Sequence, residues 1–223
     1  MVRSCVVGGS GQRAHGSDAM RRGVDIFQKA RELERRVFLL LMLALLGGFF
    51  AASVQDARAA SESDTRLVGI GLKVFRATLA ADSNLGQKLD RQRHLEILFF
   101  YRTDRAAAAG YARKLIEPGG LLDYELRAVL SDDAALRDYS ASPPAAIFIA
   151  ESRLPLTDLQ SLRAFCERHS CLLFSPFEAD VERGVATGLF VGARVLPYVN
   201  AEALQASGVR LQAFFLAIAK TTD

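Results

Sequence analysis

Two hydrophobic periods alternate along most of the chain. Leu67, Ile70, Val74, Phe75 and Leu79 recur mostly at three- and four-residue steps, which predicts an amphipathic helix. Leu95 to Tyr101 is a compact β-rich apolar run, the pattern of a strand buried on both faces. An Ala-rich helix follows to about Ile116, with Thr103 as its expected N-cap and Pro118-Gly119-Gly120 as its stop. Tyr124 to Leu130 supplies a second strand, and Ala145 to Ala150, entered through Pro143-Pro144, a third. Asp132-Asp133 reads as a turn and helix start between these two strands rather than as a catalytic pair. Thr157 with Gln160 forms a capping-box pattern ahead of the stripe Leu159, Leu162, Phe165 and Cys166, and Cys171 to Phe174 is a fourth strand. Strand alternating with helix implies right-handed βαβ crossovers, so the expected fold is α/β, a mainly parallel sheet flanked by helices.

The last third breaks that rhythm. Gly184 to Val191 and Arg194 to Val199 read as two antiparallel strands joined by Gly192-Ala193, with Gly192 supplying the positive φ of a type II′ turn. Pro197 lacks a backbone donor, which places its strand at an edge or ends it there. Asn200 is positioned to cap a short helix closed by Gly208. Leu211, Phe214, Phe215 and Ile218 give a terminal amphipathic helix whose apolar face is expected to dock on the core.

One segment follows neither period. Val37 to Val54 is apolar, preceded by Arg35-Arg36 and followed by Ala57-Arg58-Ala59, the layout of a secretory signal peptide cleaved after Ala59. The competing expectation is a retained inner-membrane signal anchor, which Gly47-Gly48 disfavours. Either way residues 60–223 are expected outside the cytoplasm, in the periplasm. Arg35 to Leu39 also has the form of a twin-arginine export motif, with the general secretory route favoured, and Met20 competes with Met1 as the start. The expected organisation is an N-terminal extension and signal peptide over 1–59, then one domain over 60–223.

This division changes the reading of charge. Of 28 basic and 25 acidic residues, nine and five lie in 1–59, leaving 19 and 20 in the exported part. So balanced a domain lacks the clustered positive footprint of an electrostatic nucleic-acid binder. At this length it can bury a core without metal or disulfide staples.

Candidate chemistry is sparse. Only His94 and His169 remain beyond the leader, and no nucleophile motif, zinc-protease motif or Gly-rich phosphate loop occurs, so the domain reads as non-catalytic, without cofactor or metal. Cys5 lies in the leader; Cys166 and Cys171 would meet an oxidising compartment. Five residues apart in one continuous helix they could not bond, so a disulfide requires the helix to break by His169; the alternative is a pair of buried thiols.

Ser175 to Leu211 carries a serine and phenylalanine after the fourth strand, a glycine before an apolar strand, a hairpin, a second strand ending in Asn and a Gly-Val pair: Ser175, Phe177, Gly184, Asn200, Gly208 and Val209. This stretch resembles the YfiR family of bacterial periplasmic proteins. The resemblance implies an α/β sandwich and a repressor of an inner-membrane diguanylate cyclase, reporting envelope state to cyclic di-GMP signalling. The founding members have a cysteine pair around the strand after the glycine; here Val181 to Val191 holds none.

The expected function is therefore a regulatory or sensor protein that binds the external domain of an inner-membrane signalling protein, a cyclic di-GMP cyclase or sensor kinase, with homodimer formation left open. The alternative is a periplasmic small-solute-binding protein, which the short domain disfavours. Candidate partner-binding residues are Phe177, Glu178, Asp180 and Arg183, in the loop after the fourth strand's carboxyl end, where open α/β sheets place crevices. Arg194 and Tyr198 on the hairpin are secondary candidates.

Overall fold

A computed structural model describes residues 62–222. The chain divides between Ala59 and Ala60. The expectations for the start site, Cys5, the export motif, the apolar run and cleavage fall outside the described residues.

The second unit is an α/β domain built on one seven-stranded sheet: β1 His94–Phe100, β2 Glu125–Ser131, β3 Ala146–Ile149, β4 Leu172–Ser175, β5 Thr187–Val191, β6 Val195–Val199 and β7 Lys220–Thr221. The spatial order is β2-β1-β3-β4-β5-β6-β7. The first five strands are mutually parallel. β6 runs antiparallel to β5, and β7 pairs parallel with β6. The helices are α1 (62–80), α2 Arg105–Ile116, α3 Leu156–His169, α4 Glu178–Glu182, α5 Ala201–Ala206 and α6 Ala213–Ile218.

Alternating side chains of the central strands feed two separate cores, which is why those strands read as unbroken apolar runs. Leu95, Ile97, Phe99, Phe148 and Phe174 meet Val68, Leu72, Phe75 and Leu79 of α1 and Tyr111 and Leu115 of α2 on one face. Phe75, Phe148 and Phe174 form its centre, with ring centroids 5.1–5.5 Å apart. Leu98, Phe100, Ile147, Ile149 and Leu173 meet Leu159, Leu162, Phe165 and Cys166 of α3 on the other.

Several local expectations are corrected. Asp104, not Thr103, caps α2 by accepting from the Ala107 amide, because the Thr103 hydroxyl is recruited by Glu151. The capping box at Thr157 does not form: Pro155 precedes the first turn and α3 begins at Leu156, placing Thr157 inside the helix. The β2–β3 crossover holds a 3₁₀ turn, Arg137–Tyr139, rather than a full helix, anchored by the buried Leu136 in left-handed backbone (φ 48°). Gly192 is not at positive φ; residues 192–194 form a three-residue connection in which Gly192 N donates to Arg194 O.

The terminal helix also differs. Leu211 and Phe215 are buried, whereas Phe214 and Ile218 are 63% and 59% exposed. Leu211 precedes α6 and bridges Asp82, so it is not on the helix at all. Within α6, Phe214 and Phe215 stand about 100° apart, and only the Phe215 side faces the core, leaving Phe214 and Ile218, one turn apart, outside. After Ala219 the chain adds β7, whose pairing with β6 covers Tyr198 and Val199 alone. Thr222 N donates to Val199 O, so the Val199 carbonyl points outward and Pro197, two residues earlier, faces the same edge.

Candidate functional site

The loop expected to bind a partner carries a dense set of internal contacts. Ser175 Oγ donates to Asp180 Oδ2 (2.7 Å) and accepts from the Phe177 amide (3.2 Å). Asp180 is buried, and burial pushes its carboxyl above the ordinary aspartate value, opposed by the Ser175 hydrogen bond and the Arg183 charge. Arg183 Nη1 lies 3.6 Å from Asp180 Oδ1 while Nη2 donates to Leu154 O (3.2 Å), so this side chain fastens α4 to the loop after β3. Val181 presses α4 onto β5 at Gly188, where a Cβ would come within 2.3 Å of Ser175 O and 2.5 Å of Val181 Cγ2.

Phe177 and Tyr198 are buried, Glu178 is partly exposed and Arg194 stands exposed at the hairpin turn. The loop and hairpin do adjoin, through Asn200 Nδ2 donating to Val181 O (3.0 Å). They meet through buried contacts, so Phe177, Arg183 and Tyr198 do not make an exposed patch. An aromatic or acidic residue near a turn has the same sequence signature whether it faces water or closes a helix.

The strand order directs attention elsewhere. Connections leave β1 toward β2 on one side and the later strands on the other, so the topological switch lies between β1 and β3. The loops there are 101–104 and 150–154. The Glu151 carboxylate accepts from the amides of Arg102 (2.9 Å), Thr103 (2.9 Å) and Asp104 (3.5 Å), and from the Thr103 hydroxyl. Burial pushes its carboxyl up, but the hydrogen bonds from Thr103, Arg102 and Asp104 outweigh that and hold it below the ordinary glutamate value. Arg102 Nε lies 3.1 Å from Asp158 Oδ2 without hydrogen-bond alignment, and Ser152 Oγ donates to Asp64 Oδ2 of α1 (2.6 Å). Amides that could cradle an anionic ligand thus hold a carboxylate of the same chain. These residues went unrecognised in sequence because Glu151 and Thr103 stand 48 positions apart.

The cysteines lie near the sheet's opposite, amino edge. α3 ends at His169, Ser170 takes left-handed backbone (φ 53°), and the Cys171 amide donates to Cys166 O (3.3 Å). This reversal brings the two buried Sγ atoms to 2.7 Å, both as free thiols. Burial and then the neighbouring Cys171 thiol push the Cys166 thiol up. An ionic cluster crosses β1 and β2: His94 lies 3.4 Å from both Asp90 and Glu125, and Arg127 Nε lies 3.8 Å from Glu96. Burial raises the Glu96 carboxyl, while Arg127 opposes it. Among the described residues no group of three or more His, Cys, Asp or Glu could hold a metal ion, and no helix is long and apolar enough to cross a membrane.

At the far end of the sheet, Phe190 and Tyr198 pack edge to face with centroids 6.0 Å apart. Lys220 Nζ stands over both rings, 3.5 Å from the Phe190 centroid and 5.1 Å from that of Tyr198. Val191, Val195, Phe214, Leu216 and Ile218 are exposed on the hairpin and α6 nearby in sequence and topology.

No family model and no curated protein matches the chain. Two solved structures resemble it in part. One is a conserved domain protein from Vibrio cholerae O1 biovar El Tor strain N16961, with 14% identity over 61% of this chain and 57% of that one, at a TM-score of 0.42. The other is an ABC domain in complex with L-Trp from Streptococcus pneumoniae, with 10% identity over 65% and 61% and a TM-score of 0.41. The chain therefore spans about three fifths of each of these structures.

Proposed function

We propose that residues 60–223 act as a non-catalytic periplasmic regulator that binds the external domain of an inner-membrane signalling protein, a cyclic di-GMP cyclase or sensor kinase. The observation supporting this reading is the distribution of exposed apolar side chains. Among the described residues, five of the eight large exposed hydrophobics, Val191, Val195, Phe214, Leu216 and Ile218, belong to the hairpin and terminal helix. Interface cores are enriched in aromatic and Arg residues; Phe214 supplies the first, Arg194 on the hairpin the second, and the exposed aliphatic side chains add apolar area. The binding surface is accordingly assigned to Arg194 with the α6 face rather than to Phe177 and Arg183. The sequence layout over 35–59 supports the compartment.

Co-purification from native membranes, with mass spectrometry of the partner and of the intact chain, tests this reading. The expected result is an inner-membrane cyclase or kinase bound to a chain beginning at Ala60, with recovery lost on Phe214→Asp/Ile218→Asp. Both side chains are exposed, so the double variant should keep its fold. Undiminished recovery by that variant would remove the assigned surface. A partner-free monomer retaining a small metabolite would replace the regulator with the solute binder, and a mass including residues 37–54 would establish a membrane anchor.

A further inference from the structure

We propose that the Phe190–Tyr198 face of the β5–β6 hairpin is a docking surface for an extended partner segment carrying a lysine or arginine, and that Lys220–Thr221 occupies it in the free protein. The inference deepens the regulator reading and rests on it for the identity of the partner.

The argument begins with what covers this side of the sheet. α3 lies over β1, β3 and β4, and α4 lies over β5 as far as Gly188, the residue whose missing side chain admits Val181. Gly188 pairs with Tyr198 and Phe190 with Leu196, so Phe190 and Tyr198 are diagonal neighbours on the same face, beyond α4. Lys220 pairs with Tyr198 in β7 and lays its ammonium over both rings. Ring faces attract positive charge without a matched acid, so the same pair of rings would accept a lysine or arginine from another segment in place of Lys220.

The covering segment is the part of the fold easiest to release. β7 has two residues and lies at the edge of the sheet. Edge strands accept extended peptides through main-chain hydrogen bonds while side-chain pockets set specificity. The bond from Thr222 N to Val199 O supplies the first element, and Lys220 over the ring pair supplies the second. β7 therefore displays the chemistry of the segment it would give way to.

The test uses a fluorescent synthetic peptide spanning residues 216–223, and the same peptide with its lysine replaced by alanine. Three chains are compared: the intact protein, a chain ending at Ala219, and full-length Lys220→Ala. Polarisation should show the shortened chain binding the lysine peptide at least tenfold more tightly than the intact protein. The alanine peptide should bind about three- to tenfold more weakly than the lysine peptide. Amide shifts of Gly188, Phe190 and Val199 should locate the complex. If the shortened chain does not fold, Lys220→Ala decides: it should accept the lysine peptide better than the intact protein does. Equal affinity for the two peptides, or no gain over intact protein in any folded variant, would overturn the proposal. Failure to recover a signalling partner from membranes would remove the regulator reading while leaving the peptide result standing.

Discussion

The two ends of the sheet's central crossing use polar and apolar groups in opposite ways. At the β1/β3 switch, where parallel α/β sheets place ligands, Glu151 satisfies the loop amides and joins the two loops, Arg102 lies against Asp158 of α3, and Ser152 bonds Asp64 of α1. At the β5–β6–β7 end, a short strand and one lysine cover an aromatic pair, and large apolar side chains remain in water. A strand topology that permits a crevice does not by itself leave one open. Closing donors with an internal carboxylate favours rigidity, while leaving apolar area uncovered favours association.

The sharpest way to break the contrast is to act where the two regions meet, on β5. Gly188→Val drives a side chain into Ser175 O and Val181, and is expected to destabilise the domain by about 3 kcal/mol, read as a lower urea midpoint. A midpoint equal to wild type would mean that α4 is not held against the sheet and that the aromatic face extends over it.

Oxidation of Cys166 and Cys171 comes next in size. Both thiols already face each other across the end of α3, so disulfide oxidants should link them, releasing two protons as the oxidant takes two electrons, and stabilise the domain by about 2 kcal/mol. Non-reducing peptide mapping reports the bond. Two alkylatable thiols after such treatment would leave them as buried packing groups alone.

Glu151→Ala leaves three amides and a hydroxyl without their acceptor and should cost about 1–2 kcal/mol, with Glu151→Gln milder. The carboxyl's value is lowered in the folded state, so its contribution is present above the ordinary glutamate value of 4.5 and is lost as pH falls through the lowered value. The stability gap between wild type and Glu151→Gln should therefore narrow on acidification. A pH-independent gap would mean the switch loops are held by something other than this charge.

Asp180 should give the smallest effect and the opposite slope. Its carboxyl is raised, so its contribution is full below the ordinary aspartate value of 3.8 and lost as pH rises through the raised value. Relative to wild type, Asp180→Asn should gain stability as pH rises from about 4 to neutrality. Parallel curves for the two proteins would show that Arg183 fully offsets the desolvation.

How legible this arrangement is in sequence depends on the range over which it is encoded. β1 through β4 lie within a residue or so of their apolar runs; β3 and β4, and most of β1, are buried on both faces and so are written in contiguous residues, while the edge strand β2 is only partly covered. The α3 stripe and the Asn200 cap are equally local, and Asn200 Oδ1 accepts from the Ala203 amide as the residue type suggests. What local pattern cannot carry is neighbourhood. The Glu151 cradle depends on β1 lying beside β3, and which side of α6 faces inward, Phe215 or Phe214 with Ile218, depends on where the core ends. β7 is too short to have a period at all. The nominated Phe177, Asp180 and Tyr198 are buried: Phe177 joins the core on the α1 face, Asp180 pairs with Ser175 and Arg183, and Tyr198 lies beside Phe190 and Lys220.

Pro197 limits what the outer edge of the sheet can become. It faces outward on β6 with a carbonyl but no N–H, one pairing step from the only stretch that β7 covers. A guest strand can follow Tyr198 and Val199 but cannot continue its ladder toward the hairpin tip. Copies of the domain are thereby hindered from stacking edge to edge into fibrils when crowded, so a face suited to a brief, short partner is guarded against indefinite growth.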